Sequence, residues 1–374
     1  MSSVPLSVKT RPKKFTDIVG QEVPVRILTN SFNDDNLHHA YIFDGNYGCG
    51  KTTMARILAA MENCDNGPTL EPCGECKNCK DIFAGKSLDV KEMDAASNRG
   101  VDDIRAVREE IRYAPMTCRV KYIIIDEAHS LTNTAAEALL KSIEEPPPNV
   151  RFVLCTTSAQ SLKPTIHSRS MVLRFMKISW HEMSEYLMKI AKQENIEFDE
   201  DAIKLISRRS KGSVRDALQH LQSVNDFCRP NKIILESAQE VLGAVDSLAY
   251  FKLVKYIVNS NVPEAMLMIN ELMAKSKNAD IIIKGLEEHL RNLLTINACR
   301  QNVAGLGFTE EEIKYYAYQG LTAKPIFVSR MMSFLIEVQR AISMNLDPQN
   351  YLEKFVVDSV VEKVRLAKEE KKEN

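Results

Sequence analysis

The segment Gly45-Asn46-Tyr47-Gly48-Cys49-Gly50-Lys51-Thr52 decides how the first half of the chain folds. It fits the pattern G-x-x-x-x-G-K-[ST] and sits between a short apolar run, Tyr41–Phe43, and an amphipathic stretch, Thr53–Met61. Strand, glycine-rich loop and helix in that order are the context the motif requires. The glycines let the backbone curl so that its N–H groups face phosphate oxygens, and the helix N-terminus adds partial positive charge. In such a loop Lys51 neutralises the β- and γ-phosphates of a nucleoside triphosphate, expected to be ATP, and Thr52 ligates Mg²⁺. The nucleotide-binding set predicted here is Gly45, Gly48, Cys49, Gly50, Lys51, Thr52 and Thr53.

Downstream, Tyr122-Ile123-Ile124-Ile125-Asp126-Glu127 is an apolar run ending in two acids, the form of a Walker B element. Asp126 would share the Mg²⁺ shell with Thr52, and Glu127 would orient and polarise the attacking water. A solvated acidic turn after a strand is common. Its position after a phosphate-binding loop is what favours the catalytic reading. Tyr41–Phe43, Tyr122–Ile125 and Phe152–Cys155 read as buried strands among helical patterns, up to about Lys177. That alternation predicts a parallel α/β sheet covered by helices on both faces.

Four of the nine cysteines crowd together as Cys64-x8-Cys73-x2-Cys76-x2-Cys79. Four thiolates suit a closed tetrahedral Zn²⁺ site, and Pro72 and Gly74 favour the tight turns that would gather them. No histidine lies in the cluster and no position is left for water, so a structural ion is expected rather than a catalytic one. Free thiols or a redox pair are the alternative. The other cysteines read as small core residues, apart from Cys49 inside the loop.

The chain has 374 residues, enough for two or three domains with sizeable cores. The apolar share of 44% and charged share of 26% are ordinary for a soluble protein. A net charge of −1 gives no global nucleic-acid signature and leaves room for a local basic surface. The first residues lack the apolar core of a signal peptide and no segment has the length of a membrane span, so a cytoplasmic protein is expected.

Beyond Ser179 the pattern turns helical, around Met183–Gln193, Glu200–Ser207 and Val214–Asn225. Further on, Phe251, Val254 and Val258 share one helix face, as do Ile282, Leu286, Leu290 and Leu293. Loops are expected at Pro263, Gly305–Gly307 and Pro325, and the charged end, LAKEEKKEN, is expected to fray. Two arginines stand in short motifs, Ser168-Arg169-Ser170 after the third strand and Gly212-Ser213-Val214-Arg215-Asp216 at a helix start. Either alone would be an ordinary surface residue.

Taken together, the stretches RPKKFTDIVGQE (11–22), HAYIFDGNYGCGKTTMARILA (39–59), PCGECKNC (72–79), DVKEMDAAS (89–97), RYAPMTCRVKYIIIDEAHSL (112–131), ALLKSIEEPPPNVRFVLCTT (138–157) and GSVRDAL (212–218) resemble one family. It is the motor subunit of the bacterial sliding-clamp loader, the DnaX (γ/τ) family of AAA+ ATPases. The cysteine insert directly after the phosphate-loop helix sets such chains apart from most AAA+ proteins. The resemblance implies an AAA+ P-loop NTPase domain with its zinc module over 1–178, a helical lid over 179–242 and an all-α collar that assembles subunits over 243–374. It implies that Arg11, Pro12, Val19 and Gly20 line the adenine pocket, that Thr157 is sensor 1 and that Arg215 is sensor 2. Arg169 would be an arginine finger reaching the neighbouring subunit's ATP, being expected on the far side of the sheet from the phosphate-loop helix. The implied partners are other loader subunits in a ring, a pentamer, together with the sliding clamp and the phosphate backbone of primer–template DNA. Asn98, Arg99 and Arg105, around a helix start near Val101, are the candidate DNA contacts; ordinary solvated charges are the alternative.

The chain departs from the family at Ser170, where Cys is usual, and at Asn46-Tyr47-Gly48-Cys49, where an arginine and a small aliphatic residue are more common. Its length matches the short, γ-type form, and the departures would fit a divergent bacterium or a bacteriophage. Two rival functions stay open at this stage, another AAA+ DNA motor such as a helicase or branch-migration motor, and a non-hydrolysing stator of a clamp loader. The zinc insert opposes the first, and the intact Lys51, Thr52, Asp126 and Glu127 oppose the second.

Overall fold

The computed structural model describes residues 4–97, 100–242, 247–275, 279–299, 310–344 and 346–373. Asn98, Arg99, the turn expected at Gly305–Gly307 and the boundary expected at Gly243 lie outside these residues. The chain divides into two compact units, Met1–Asp226 and Phe227–Asn374.

The first unit opens with α1 (Leu6–Lys9) and α2 (Glu22–Asn33). Then β1 (Ala40–Gly45), α3 (Lys51–Asn63), α4 (Lys77–Ala84), β2 (Val90–Asp94), α5 (Val101–Glu110), β3 (Lys121–Asp126), α6 (Asn133–Glu144), β4 (Val150–Thr156), α7 (Pro164–His167) and β5 (Met171–Phe175) follow. The five strands are parallel in the order β2-β3-β4-β1-β5. Side chains alternate across each strand. Tyr41, Phe43, Tyr122, Ile124, Val153 and Cys155 therefore pack under α3 and α4, with Met54, Ile57, Leu58 and Ile82. Ala40, Ile42, Ile123, Ile125, Phe152 and Leu154 pack on the other face against Ile104 and Val107 of α5 and Leu139 and Ile143 of α6. Both faces are covered, as expected.

The three strands expected from the sequence are the three inner ones, which bury both faces and so read as unbroken apolar runs. The two edge strands were not foreseen. In β2 only Val90 and Met93 are buried and in β5 only Leu173 and Phe175, and the charged Lys91, Glu92 and Arg174 break the apolar runs.

A partly buried ion pair holds α3 in place at the end away from the loop. Arg151 at the start of β4 donates from Nη2 to Glu62 Oε1 at 2.7 Å and from Nη1 to Leu37 O at 2.9 Å. Tyr122 on β3 also donates to Glu62. A bidentate Arg–carboxylate pair fixes orientation as well as distance, so the C-terminal end of α3 is anchored to two strands.

After Ser179, whose hydroxyl and Glu182 form a reciprocal cap, three helices follow, α8 (Trp180–Gln193), α9 (Glu200–Arg209) and α10 (Val214–Cys228). The turn before α10 runs through Lys211 and Gly212 at positive φ, 51° and 87°. At Gly212 a side chain would also meet the Ile178 carbonyl.

In the second unit, α11 (Leu235–Val241), α12 (Ser247–Val258), α13 (Val262–Lys275), α14 (Ala279–Cys299), α15 (Glu310–Thr322), α16 (Pro325–Ser343) and α17 (Pro348–Glu373) are all helical. Phe251, Val254, Val258, Ile282, Leu286, Leu290 and Leu293 lie in one core, as their spacing predicts. Pro263 and Pro325 fall in the first turns of α13 and α16, where a missing N–H costs nothing. The charged end, expected to fray, is helical as far as Glu373. It continues α17, where Arg365 and Glu369 pair four residues apart at 3.0 Å. A polar pair, His289 and Gln319, is buried within this core. His289 is buried against the rings of Phe251 and Tyr316, with Nε2 2.8 Å from Gln319 Oε1, and Gln319 donates in turn to Phe251 O at 2.9 Å. No described helix is long and apolar enough to cross a membrane.

Candidate nucleotide site and metal cluster

Parallel α/β sheets bind ligands at the carboxyl ends of their strands, and three such ends meet here. β1 runs into the loop Asn46–Gly50, β3 ends at Asp126, and β4 lies between them. Gly45 lets β1 and β5 approach, because a Cβ there would lie 2.6 Å from Phe175 O. Gly50, at φ 100°, turns the chain into α3 and leaves the helix's first N–H groups facing the pocket.

Lys51 is buried, and its ammonium arches back to donate to Gly45 O at 2.7 Å and Asn46 O at 3.0 Å. Thr52 donates from Oγ1 to Asp126 Oδ2 at 2.7 Å. Asp126 Oδ1 accepts from the Glu127 N–H at 2.9 Å. Glu127 itself has φ 48°, a left-handed conformation rare outside glycine. Its carboxylate lies 3.4 Å from His129 Nδ1, which is also 3.2 Å from the hydroxyl of Thr156.

One pocket is lined by Arg11, Pro12, Val19, Gly48, Cys49, Gly50, Lys51, Thr52, Thr53, Asp126, Glu127 and Arg215. The structure thus gathers nearly all the residues expected at a nucleotide. Burial, and after it the charge of Arg56, lowers the pKa of Arg11. The segment carrying Arg11 and Pro12 is tied to α10 by the Leu6 N–H, which donates to Gln222 Oε1 at 2.9 Å. Cys49 points inward with Sγ 2.8 Å from Asn46 O, and burial raises its thiol pKa, which keeps it protonated. It is a packed side chain, not a nucleophile.

Four expected residues, Gly20, Gly45, Thr157 and Arg169, lie outside the pocket lining. Thr157 follows the last residue of β4 and is exposed, while its neighbour Thr156 is fully buried and faces His129. Arg169 lies between α7 and β5. Its guanidinium contacts Glu144 Oε1 at 3.1 Å and Thr165 O at 3.2 Å. The expected reason for its separation from the loop needs correction. β4 pairs directly with β1 and β5 flanks β1 on the other side, so Arg169 follows a strand next to the loop's own strand and not one on the far side of the sheet.

Several lining residues were missed, among them Tyr47, Thr10, Ile18, Tyr186 and Leu218. Tyr47 fills a variable position of the motif and nothing in the spacing marks it. Arg215 lies over its ring, with Cζ 4.8 Å from the centroid, and donates Nη1–H to its hydroxyl. Of the candidate DNA contacts, Arg105 is described. It is exposed on α5 and pairs with Asp102 at 3.1 Å, in a first turn that also holds Asp103.

The four clustered cysteines end α3, cross its loop and enter α4. Cys64 caps α3 and Cys79 lies in the first turn of α4. Their sulfurs all lie within 4.8 Å of one another. Four sulfurs bound to one Zn²⁺ sit roughly 3.8 Å apart at the usual Zn–S distance, so the set fits that ion with little adjustment. Backbone N–H groups of Cys76 and Glu75 draw the Cys73 thiol pKa down to about 6, whereas burial raises that of Cys79. Thiolates packed this closely repel one another unless a cation sits among them. Asn78 on α4 donates to Asp65 Oδ1 at 2.7 Å and Thr117 O at 3.2 Å, while Asn63 Oδ1 accepts from the N–H groups of Arg119 and Val120, both at 2.9 Å. The cluster is thereby stitched to the segment that enters β3.

A parallel sheet in this order, with its phosphate loop, paired acids, helical lid and cysteine insert, defines an AAA+ nucleotide-binding fold. Residues 20–179 match the family described as DNA polymerase III, delta subunit, and residues 182–222 match the DNA polymerase III clamp loader subunit, ATPase lid domain. The chain is 37% identical over 267 residues to DNA polymerase III subunit gamma of Buchnera aphidicola (from Schizaphis graminum), covering 71% of this chain and 73% of that one. It belongs to the DNA polymerase III gamma/tau family. It is also 38% identical over 284 residues to the tau subunit of Bacillus subtilis, covering 76% of this chain and 50% of the relative. The chain thus spans about half the length of that tau relative. A Thermotoga maritima RuvB structure aligns over 71% of this chain and 88% of that one at 18% identity and TM-score 0.49, too weak a likeness to favour a branch-migration motor.

Proposed function

We propose that this chain is the ATP-hydrolysing motor subunit of a sliding-clamp loader, which uses ATP binding and hydrolysis to open a ring-shaped clamp and leave it on primer–template DNA. The observation that carries the reading is the convergence of Lys51, Thr52, Asp126 and Glu127 on one pocket, with the Thr52 hydroxyl 2.7 Å from Asp126. Membership of the gamma/tau family supports the biological setting.

In this reading Lys51 and the N–H groups of the loop bind the β- and γ-phosphates, and Arg11, Pro12 and Val19 hold the base. Thr52 and Asp126 would hold Mg²⁺, which neutralises phosphate charge when bound. Glu127 accepts hydrogen bonding from the attacking water and aligns it with the γ-phosphorus. Thr157 and Arg215 act as the two sensors, and Arg169 serves the site of a neighbouring subunit. The cysteine cluster holds a structural Zn²⁺. Residues 1–178, 179–242 and 243–374 act as nucleotide domain, lid and collar. Assembly with other loader subunits in a ring, most simply a pentamer, brings the chain to the clamp and to DNA, with Asn98, Arg99 and Arg105 facing phosphates.

The experiment is an ATPase assay of the chain reconstituted with its loader partners, with and without clamp and primer–template DNA. Hydrolysis stimulated by both together supports the proposal. Absence of hydrolysis with nucleotide still bound would make the chain a stator, and stimulation by DNA indifferent to the clamp would make it a different motor.

A further inference from the structure

The start of α10 is laid directly on the phosphate-binding loop. The Val214 N–H donates to Gly48 O at 3.0 Å, and a Cβ on Gly48 would lie 2.2 Å from Ser213 Oγ and 3.4 Å from the Arg215 Cβ. No residue larger than glycine fits between the two segments. Arg215 therefore leaves the helix at the rim of the pocket, where its long side chain has a wide choice of rotamers. One is selected by Tyr47. The guanidinium lies over the tyrosine ring at 4.8 Å and donates to its hydroxyl, while Tyr47 itself stays 56% exposed.

We propose that Tyr47 is a positioning residue that fixes the Arg215 guanidinium over the loop, so that nucleotide triphosphate is told from diphosphate by an arginine already in place. The inference rests on the reading of Arg215 as the group that meets the γ-phosphate. The ring face attracts the cation without consuming its N–H donors, and the hydroxyl takes one of them. The remaining donors stay available to an anion. A preformed arrangement loses less freedom on binding than a free side chain, and the gain goes to whichever ligand contacts the guanidinium.

The test measures dissociation constants of the full chain for a non-hydrolysable ATP analogue and for ADP, and takes their ratio. Arg215→Ala is expected to collapse the preference for triphosphate. Tyr47→Ala is expected to lower that preference about two- to fivefold, the scale of an exposed cation–π contact, with the affinity for ADP falling less than that for the triphosphate analogue. Tyr47→Phe keeps the ring and should retain most of the preference. In the Arg215→Ala background, Tyr47→Ala should have no further effect on the ratio. Equal loss of affinity for both nucleotides in Tyr47→Ala, or an effect on the ratio that persists without Arg215, overturns the positioning role. If Arg215→Ala leaves the ratio untouched, the sensor reading has failed and this proposal falls with it. A collapse with Arg215→Ala and none with Tyr47→Ala sinks the proposal alone.

Discussion

Thr52 and Asp126 meet at 2.7 Å, hydroxyl to carboxylate, and so join the first turn of α3 to the end of β3. The pair presents two hard oxygens side by side at the edge of the pocket, the donor chemistry that Mg²⁺ prefers. Asp126→Asn and Thr52→Val are each expected to weaken Mg²⁺-dependent binding of triphosphate by about 10- to 100-fold. Binding measured in EDTA should change much less. A titration of Mg²⁺ at fixed nucleotide separates the two, and equal losses with and without the ion would remove the pair from the metal's shell.

Lys51 and Glu127 are expected to divide binding from chemistry. Lys51→Ala removes the ammonium that now rests on the Gly45 and Asn46 carbonyls and should abolish productive binding. Glu127→Gln should retain ATP and lower turnover by roughly 10²- to 10⁴-fold, the usual worth of a positioned general base. Filter binding and single-turnover hydrolysis on the same preparations check this. Loss of binding in both variants would contradict the division.

Arg169 is held by Glu144 within its own chain. Arg169→Ala should leave ATP binding intact and reduce hydrolysis in the assembled ring by about 10³-fold or more, the scale of an arginine supplied across an interface. Mixing Arg169→Ala chains with Lys51→Ala chains creates interfaces that pair an intact loop with an intact arginine. Recovered activity in the mixture supports action across the interface. If mixed rings form without recovery, titrating wild-type chains into each variant distinguishes a cis arginine from a requirement for several intact sites.

The cysteine cluster should carry one zinc per chain. Cys76→Ser is expected to lower the metal content and loosen the segment around Thr117–Val120 that Asn63 and Asn78 hold. Nucleotide affinity should fall less than protease resistance in that segment. Metal analysis together with limited proteolysis tests both halves, and a metal-free preparation with full resistance would contradict them.

His289 supplies a pH dependence in the second unit. Burial in the core lowers its pKa to about 4 from the ordinary 6.5, so the folded chain keeps it neutral where the unfolded chain begins to bind a proton. Stability is therefore fully present above about pH 6.5 and is lost as the pH falls from there towards 4, at about 1.4 kcal/mol per pKa unit at most. Urea unfolding at pH 7.5, 5.5 and 4.5 should show a flatter profile for His289→Gln than for the wild-type chain. Parallel profiles would mean that His289 is not the titrating group.

Much of the candidate nucleotide pocket was legible because its residues lie in short contiguous motifs. Gly45–Thr52 and Asp126-Glu127 each carry their own geometry, and an inner strand such as Tyr122–Ile125 is apolar throughout. The edge strands Val90–Asp94 and Met171–Phe175 were not legible, since half of each faces outward and accepts charge. Tyr47 and Tyr186 escaped for other reasons. Tyr47 fills a variable position of the loop motif, and Tyr186 reaches the pocket from a segment far away in the chain, which no local pattern records. Arg169 could be found by motif, but its hold on Glu144 depends on a helix end that the sequence alone does not bring near it.

The strand order has a consequence for how the chain is made. β1 pairs only with β4 and β5, so Tyr41, Ile42 and Phe43 have no strand beside them until residues 150–175 have been synthesised. At typical rates of translation that delay is on the order of ten seconds. For that time the nascent chain exposes an apolar strand with two open edges, the kind of segment that pairs with the wrong partner. The glycine-rich loop Asn46–Gly50 is the continuation of this strand. The topology of the sheet therefore predicts that the growing chain benefits from protection by the ribosome or a chaperone over this interval.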